Sequence, residues 1–173
     1  GQSVPNFDYS MAPGVKKSYR KLYYTNLGKL LEGLCDAEDG TETAKKICEE
    51  IEDETGLYPT MADSGAYRQK EAERLSGFGT PEQIEKIQTL SVRFADKEIR
   101  RKTYQAMEAL IHNLNTMHSR AGAQVPFSSL NYGTDTSPEG RLVMECIMEA
   151  TEAGLGNGET PIFPIQIFKV KEG

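Results

Sequence analysis

With 173 residues, 38% of them hydrophobic and 27% charged, the chain can build one domain with a packed core and much solvated helix surface. A net charge of −6 argues against broad nucleic-acid binding, which needs a positive surplus over the phosphates, but leaves room for one nucleotide in a local basic pocket. No apolar run approaches the ~20 residues of a membrane span, and the opening GQSVPNFDYS lacks a charged-then-apolar signal, so a cytoplasmic protein is expected, without membrane or nucleic-acid partners.

Residues 1–12, with Pro5 and Pro13 as breakers at either side, read as extended or looped. A helix is expected over 13–34, where Val15, Tyr19, Leu22, Tyr23, Leu27, Leu30, Leu31 and Leu34 recur at helical spacing and Pro13 suits a first turn. Lys16, Lys17, Arg20 and Lys21 then crowd its first two turns, the end that favours acids. Two readings stay open: a solvated basic face, or a patch facing phosphate in concert with helix N–H groups. In DAEDGTETAKKICEEIEDETG, Asp39-Gly40 turns, Thr41 or Thr43 can cap, Ile47, Cys48 and Ile51 face a core, and Gly56 terminates. A short helix is expected near 66–75.

Thr80-Pro81-Glu82-Gln83 is a capping box, opening a helix that ends near Ala95. Asp96 can cap a second helix reaching about Arg120, carried by Ile99, Ala106, Met107, Leu110, Ile111, Leu114 and Met117. Residues 125–132 (VPFSSLNY) read as a strand, 133–137 as a turn, and Ser137-Pro138-Glu139 as the start of another helix. Residues 162–170 (IFPIQIFKV) are apolar on both faces and are expected to form a buried strand parallel to the first. The expected class is therefore α+β or α/β: a helical region over 1–121, then a βαβ unit over 122–173.

Cys35, Cys48 and Cys146 form no C-x-x-C pair and lie apart from His112 and His118, so no metal site is expected and the thiols read as reduced. Cys146 sits on an apolar stripe and reads as core. GLGNGET (154–160) follows a helix and opens a strand, the reverse of a dinucleotide fingerprint, so it reads as a helix exit. Gly133-Thr-Asp-Thr-Ser-Pro lies where α/β folds gather ligands, between a strand end and a helix start. Anion binding there and plain capping by Thr136 or Ser137 weigh equally. Arg120 and Gln124 flank Gly122 and either fork onto an anion or brace the loop.

NLNTMHSRAGAQVPFSSLNYGTDTSPEGRLV and GLGNGETPIFPIQIFKVKEG closely resemble the anaerobic (class III) ribonucleoside-triphosphate reductases, and GQSVPNFDYSMAPGV resembles an upstream block of that family. The resemblance implies a glycyl-radical enzyme, a ten-stranded α/β barrel that begins with this βαβ unit, and a homodimer. It further implies nucleotide effectors, formate as reductant, zinc, and a radical S-adenosylmethionine activase as partner. The family's Gly-Cys-Arg-Thr finger loop, four zinc cysteines and C-terminal radical glycine have no counterpart here. No catalytic or metal residue is therefore assigned, no cofactor is expected in this chain itself, and the chain is expected to be an inactive internal fragment. By placement, Ser128, Ser129, Asn131, Thr134, Thr136 and Ser137 are candidates for substrate, and Gln2, Lys16, Lys17, Arg20, Arg120 and Gln124 for effector phosphate. The competing readings are a stand-alone nucleotide-binding or protein-interaction module, and another glycyl-radical enzyme.

Overall fold

A computed structural model describes residues 2–62, 65–116, 127–156 and 158–170. The order is β1 (Gln2–Val4), α1 (Phe7–Cys35), α2 (Gly40–Thr55), α3 (Gly65–Leu75), α4 (Pro81–Thr116), β2 (Ser128–Tyr132), α5 (Pro138–Ala153) and β3 (Ile165–Phe168). Helices and a small parallel sheet give an α+β arrangement. The chain divides into two units, residues 16–99, and residues 1–15 with 100–173.

In the 16–99 unit, Tyr19, Tyr23, Leu27 and Leu31 repeat every four residues along α1 and are all buried. They share the unit with buried Ala44, Ile47, Cys48 and Ile51 of α2, Tyr67 and Leu75 of α3, and Ile84, Ile87, Ala95 and Ile99 of α4. Each fully buried large side chain is worth about 1.5–3 kcal/mol of transfer free energy. Helix α2 stops at Gly56, in the left-handed region, as expected, but it starts directly after a left-handed Asp39, ahead of the expected cap at Thr41 or Thr43. Gly28 and Gly40 let α1 and α2 touch backbone to backbone. A Cβ on Gly28 would overlap Thr41, and one on Gly40 would overlap the Gly28 carbonyl. Arg74 of α3 ties to Glu50 and Glu54 of α2 at 2.6 Å each.

Two helix boundaries differ from expectation. Helix α1 begins at Phe7, not Pro13, so Pro13 lies inside it. Burial of Phe7, Ala12 and Val15 secures these first turns, and a proline this near the N-terminus forfeits a single ladder bond. The Lys16–Lys21 cluster consequently sits beyond the second turn, away from the free N–H groups of the helix start. Helix α4 is continuous through Asp96. Its 36 residues span about 54 Å, with no Gly or Pro after Pro81 to break it and a buried stripe running from Ile84 to Ile111. Its start is the expected capping box: the Gln83 N–H donates to Thr80 Oγ1 (3.2 Å), and the Thr80 N–H to Gln83 Oε1 (2.9 Å).

In the other unit the sheet order is β1-β2-β3, parallel throughout. The β2-α5-β3 unit is as anticipated. The third strand comes instead from the N-terminus, where QSV is too short to carry an alternation signal. Register places Ser3, Ser129, Asn131, Ile165 and Ile167 on one face. Leu130, Tyr132 and Gln166 lie on the other, which meets α5: Tyr132 Oη donates to Gln166 Oε1 (2.5 Å), and Gln166 Nε2 to Thr151 Oγ1 (2.6 Å). Strand β3 is not buried. Ile165, Ile167 and Phe168 are exposed, and flanking Ile162 and Val170 are 77% and 80% exposed. As an edge strand with only one face toward a helix, it lacks the cover on both sides that its apolar composition implies.

Candidate functional site

The loop after β2 is organised by a residue from the far end of the chain. Asp8, in the first turn of α1 and fully buried, accepts from the Gly133 N–H (3.0 Å) and the Asp135 N–H (2.9 Å) through Oδ2, and from the Tyr9 N–H (3.0 Å) through Oδ1. Burial alone would raise its pKa. The N–H donors of Asp135, Gly133 and Tyr9 outweigh that and hold the carboxyl below its usual range. Asp135 Oδ1 in turn accepts from the Ser137 N–H (2.8 Å), and Ser137 Oγ caps α5 by accepting from the Gly140 N–H (3.1 Å). Four N–H groups at this strand-to-helix edge are thus occupied by the chain's own oxygens. The expected phosphate cradle of Thr134, Thr136 and Ser137 is therefore also a carboxylate-braced turn.

Among the substrate candidates, Ser129 and Asn131 share one face of β2, with Asn131 Nδ2 donating to Ser3 Oγ (3.4 Å). Ser128 lies on the opposite face. The Ser128 and Thr134 hydroxyls are buried without a hydrogen-bond partner among the described residues. Gln2 pairs with Ser128 at the β1 edge, its N–H donating to the Phe127 carbonyl (2.9 Å). Arg120 and Gln124 lie outside the described residues.

Lys16, Lys17 and Arg20 belong to the 16–99 unit. Lys17 and Arg20, with Ser18, Lys21 and Tyr24 of α1, line an open groove of about 320 Å³ whose other wall is Lys45, Cys48 and Glu49 of α2. Arg20 is already engaged: its guanidinium pairs with Glu52 and lies 5.5 Å from the Tyr58 ring centre. Lys16 does not line the groove. Sequence reasoning missed Lys45, because a lysine in an acidic helix reads as solvated surface.

The same unit holds a buried carboxyl that sequence reasoning also missed. Glu71 accepts from Tyr23 Oη and Tyr67 Oη at 2.6 Å each and from Gln88 Nε2 at 3.0 Å. Burial pushes its pKa up, although those three donors pull it down. Tyr67 lies four residues before Glu71 on α3, a local helical pair, but Tyr23 lies 48 residues away and is brought in by the fold alone. Burial likewise raises the Cys48 thiol, and pushes Cys146 to about 11, so both are protonated at neutral pH and poor nucleophiles. Among the described residues no three His, Cys, Asp or Glu side chains converge as a metal site requires. No described helix is long and apolar enough to cross a membrane.

The described residues form an α+β arrangement, with a polar strand face in one unit and a cationic groove in the other. The family described as anaerobic ribonucleoside-triphosphate reductase matches the chain over residues 1–173, and the chain belongs to that family. It is 36% identical over 81 residues to the anaerobic ribonucleoside-triphosphate reductase of Escherichia coli K12, and 35% identical over 81 residues to that of Haemophilus influenzae. Each match covers 46% of this chain and 11% of the relative. The enterobacteria phage T4 enzyme is 34% identical over 84 residues, 48% of this chain and 14% of its own. The chain therefore spans a small part of the length of the relatives it matches.

Proposed function

We propose that this chain is part of a cytoplasmic anaerobic ribonucleotide reductase that reduces ribonucleoside triphosphates to deoxyribonucleotides by glycyl and thiyl radical chemistry. In this reading β2-α5-β3 opens a ten-stranded barrel, and residues 1–121 carry dimer and effector contacts. The radical-bearing glycine and cysteine, the zinc ligands and the formate chemistry are assigned to the rest of the parent enzyme, which a radical S-adenosylmethionine activase charges. The observation that carries this reading is the family match over the whole chain. It is supported by the row Ser3, Ser129 and Asn131, which presents neutral hydroxyls and an amide on one sheet face. Such groups hydrogen-bond a sugar hydroxyl or a phosphate oxygen without adding charge. Their role is to orient the nucleotide; proton and radical steps belong to residues elsewhere.

The test is steady-state kinetics of the intact activated enzyme. Asn131→Ala and Ser129→Ala are expected to lower kcat/KM for a ribonucleoside triphosphate at least tenfold, with the melting temperature little changed. Unchanged kcat/KM in both variants would remove β2 from the substrate site. The chain by itself, given activase, formate and a ribonucleoside triphosphate, is expected to form no deoxynucleotide, and turnover would refute the assignment of the radical carriers to other segments.

A further inference from the structure

The first turn of α1 closes on the ends of two parallel strands. Asp8 Oδ2 accepts from both the Gly133 and the Asp135 N–H, so residues 133–135 wrap around one carboxylate oxygen directly after β2. The exits of β2 and β3 touch at the same place. The Lys169 N–H donates to the Tyr132 carbonyl (2.7 Å), and a Cβ on Gly133 would overlap the Lys169 carbonyl. Gly133 has φ 114°, a conformation open to glycine, and so passes that close. Two residues before Asp8, Asn6 Oδ1 accepts from Lys169 Nζ (3.2 Å). Asn6 itself sits at φ 53°, in the left-handed region that asparagine tolerates better than most side chains. Residues 6–8 therefore grip β2 and β3 together at their C-terminal ends, all within the unit of residues 1–15 and 100–173. In parallel sheets that edge is where ligands gather.

The grip is built on an unusual group. Asp8 is fully buried, yet among the described residues it has no lysine, arginine or histidine partner, only backbone N–H donors. A carboxylate gives up much hydration on burial, and an apolar side chain could fill the same space without that loss. What an apolar group cannot do is draw the Gly133 and Asp135 N–H groups onto one point. Asn131 lies two residues upstream of this turn, on the polar face with Ser3 and Ser129, its Nδ2 donating to Ser3 Oγ (3.4 Å). A binding row keeps its geometry when hydrogen bonds behind it fix the backbone that carries it.

We propose that Asp8 is a positioning residue for nucleotide reduction: its carboxylate fixes the exit of β2 and so holds the Asn131 amide and the Ser129 hydroxyl in the geometry that orients the ribonucleotide. Asp8 is enclosed by its own N–H donors and does not touch substrate. The proposal rests on the reading above that this face of β2 meets substrate.

A double-mutant cycle on the intact activated enzyme tests this, with kcat and KM for a ribonucleoside triphosphate measured well below the melting temperature of each variant. Asp8→Asn keeps the size of the side chain and one acceptor oxygen but removes the charge. It is expected to lower kcat at least tenfold while KM stays within about twofold. Because Asp8 acts through Asn131, Asp8→Asn/Asn131→Ala is expected to be no more than about twofold slower than Asn131→Ala alone. Hydrogen exchange in Asp8→Asn is expected to speed most in peptides covering 130–137, beyond the change in α4 and α5. An unchanged kcat in Asp8→Asn, or effects of the two substitutions that multiply, would overturn the proposal. Exchange that speeds equally throughout the unit would do the same, leaving Asp8 a residue of general stability. A silent Asp8→Asn beside a slow Asn131→Ala sinks the proposal alone. If Asn131→Ala and Ser129→Ala both leave kcat/KM intact, the substrate reading of β2 fails and this proposal falls with it.

Discussion

At the scale of single residues, Asp8 shows how little of a site a local sequence motif need contain. Its partners Gly133 and Asp135 lie 125 and 127 residues away, so FDYS at the start of a helix carries no hint that a carboxylate there will order the loop after β2. Because hydrogen bonding depresses its folded pKa, its stabilisation is fully present above the ordinary carboxylate value of about 4. It is lost as the pH falls through the depressed value. Asp8→Asn keeps the shape but turns an amide N–H toward backbone N–H donors, and should cost about 2–3 kcal/mol at pH 7 in urea unfolding. The difference from the wild type should shrink as the pH falls below the ordinary carboxylate range; a gap that stays equal as the pH is lowered would mean that charge is not what matters. The cysteines give a second residue-scale expectation. With Cys48 and Cys146 buried and their thiols raised, iodoacetamide at pH 8 should label half-exposed Cys35 first in the native protein. Comparable labelling of Cys146 would contradict its burial.

At the scale of elements, the sequence was read well wherever the determinant was local. The Thr80–Gln83 box, the Gly56 stop, the Ser137 cap and the parallel β2-α5-β3 order follow from short-range chemistry, and each is present. Thr80→Ala removes one donor–acceptor pair and should cost about 1 kcal/mol. The failures share a cause: long-range partners decide them. β1 exists because β2 pairs with it, α1 starts six residues before Pro13 because Phe7 and Asp8 are buried, and Asp96 does not end a helix whose buried stripe continues past it. Of the candidate site, the row on β2 and the basic cluster Lys16–Lys21 of α1 were visible, but Lys45 joined the groove only once α2 packed on α1, and Lys16 does not line it. Two glycines of α1 make that packing testable. Gly28→Ala drives a methyl into the Thr41 backbone and should destabilise by about 1–3 kcal/mol. Gly33→Ala, with nothing near its new Cβ, should stabilise by about 0.5–1 kcal/mol through helix propensity. Both variants moving the melting temperature in the same direction would mean that the α1–α2 contact is looser than it stands here.

At the scale of the whole molecule, the net charge of −6 conceals a division that matters for its pH response. The unit of residues 1–15 and 100–173 holds Asp8, whose folded pKa is lowered; the 16–99 unit holds Glu71, whose folded pKa is raised. The two carboxyls pull stability in opposite directions. Where a folded pKa is raised, the folded state binds more protons than the unfolded state between the two values, so stability falls as the pH rises. For Glu71 that decline begins near the unfolded value of about 4.3 and continues up to the raised folded value. Below 4.3 its contribution is complete. Asp8 behaves the other way, gaining as the pH climbs toward about 4. Hydrogen exchange followed by mass spectrometry, corrected for the intrinsic pH dependence of exchange, can follow each unit by its own peptides. Between about pH 3 and 6, protection in β2 and α5 should rise or hold while protection in α3 falls. Glu71→Gln removes the titrating group, keeps an oxygen acceptor for one of the two tyrosines and should flatten the α3 response. Glu71→Ala removes the buried acceptor that Tyr23 Oη, Tyr67 Oη and one Gln88 N–H share and should cost about 3 kcal/mol at pH 4. If α3 protection instead rose with pH in step with β2, or if Glu71→Gln left its slope intact, the buried Glu71 cluster would not be the group that sets it.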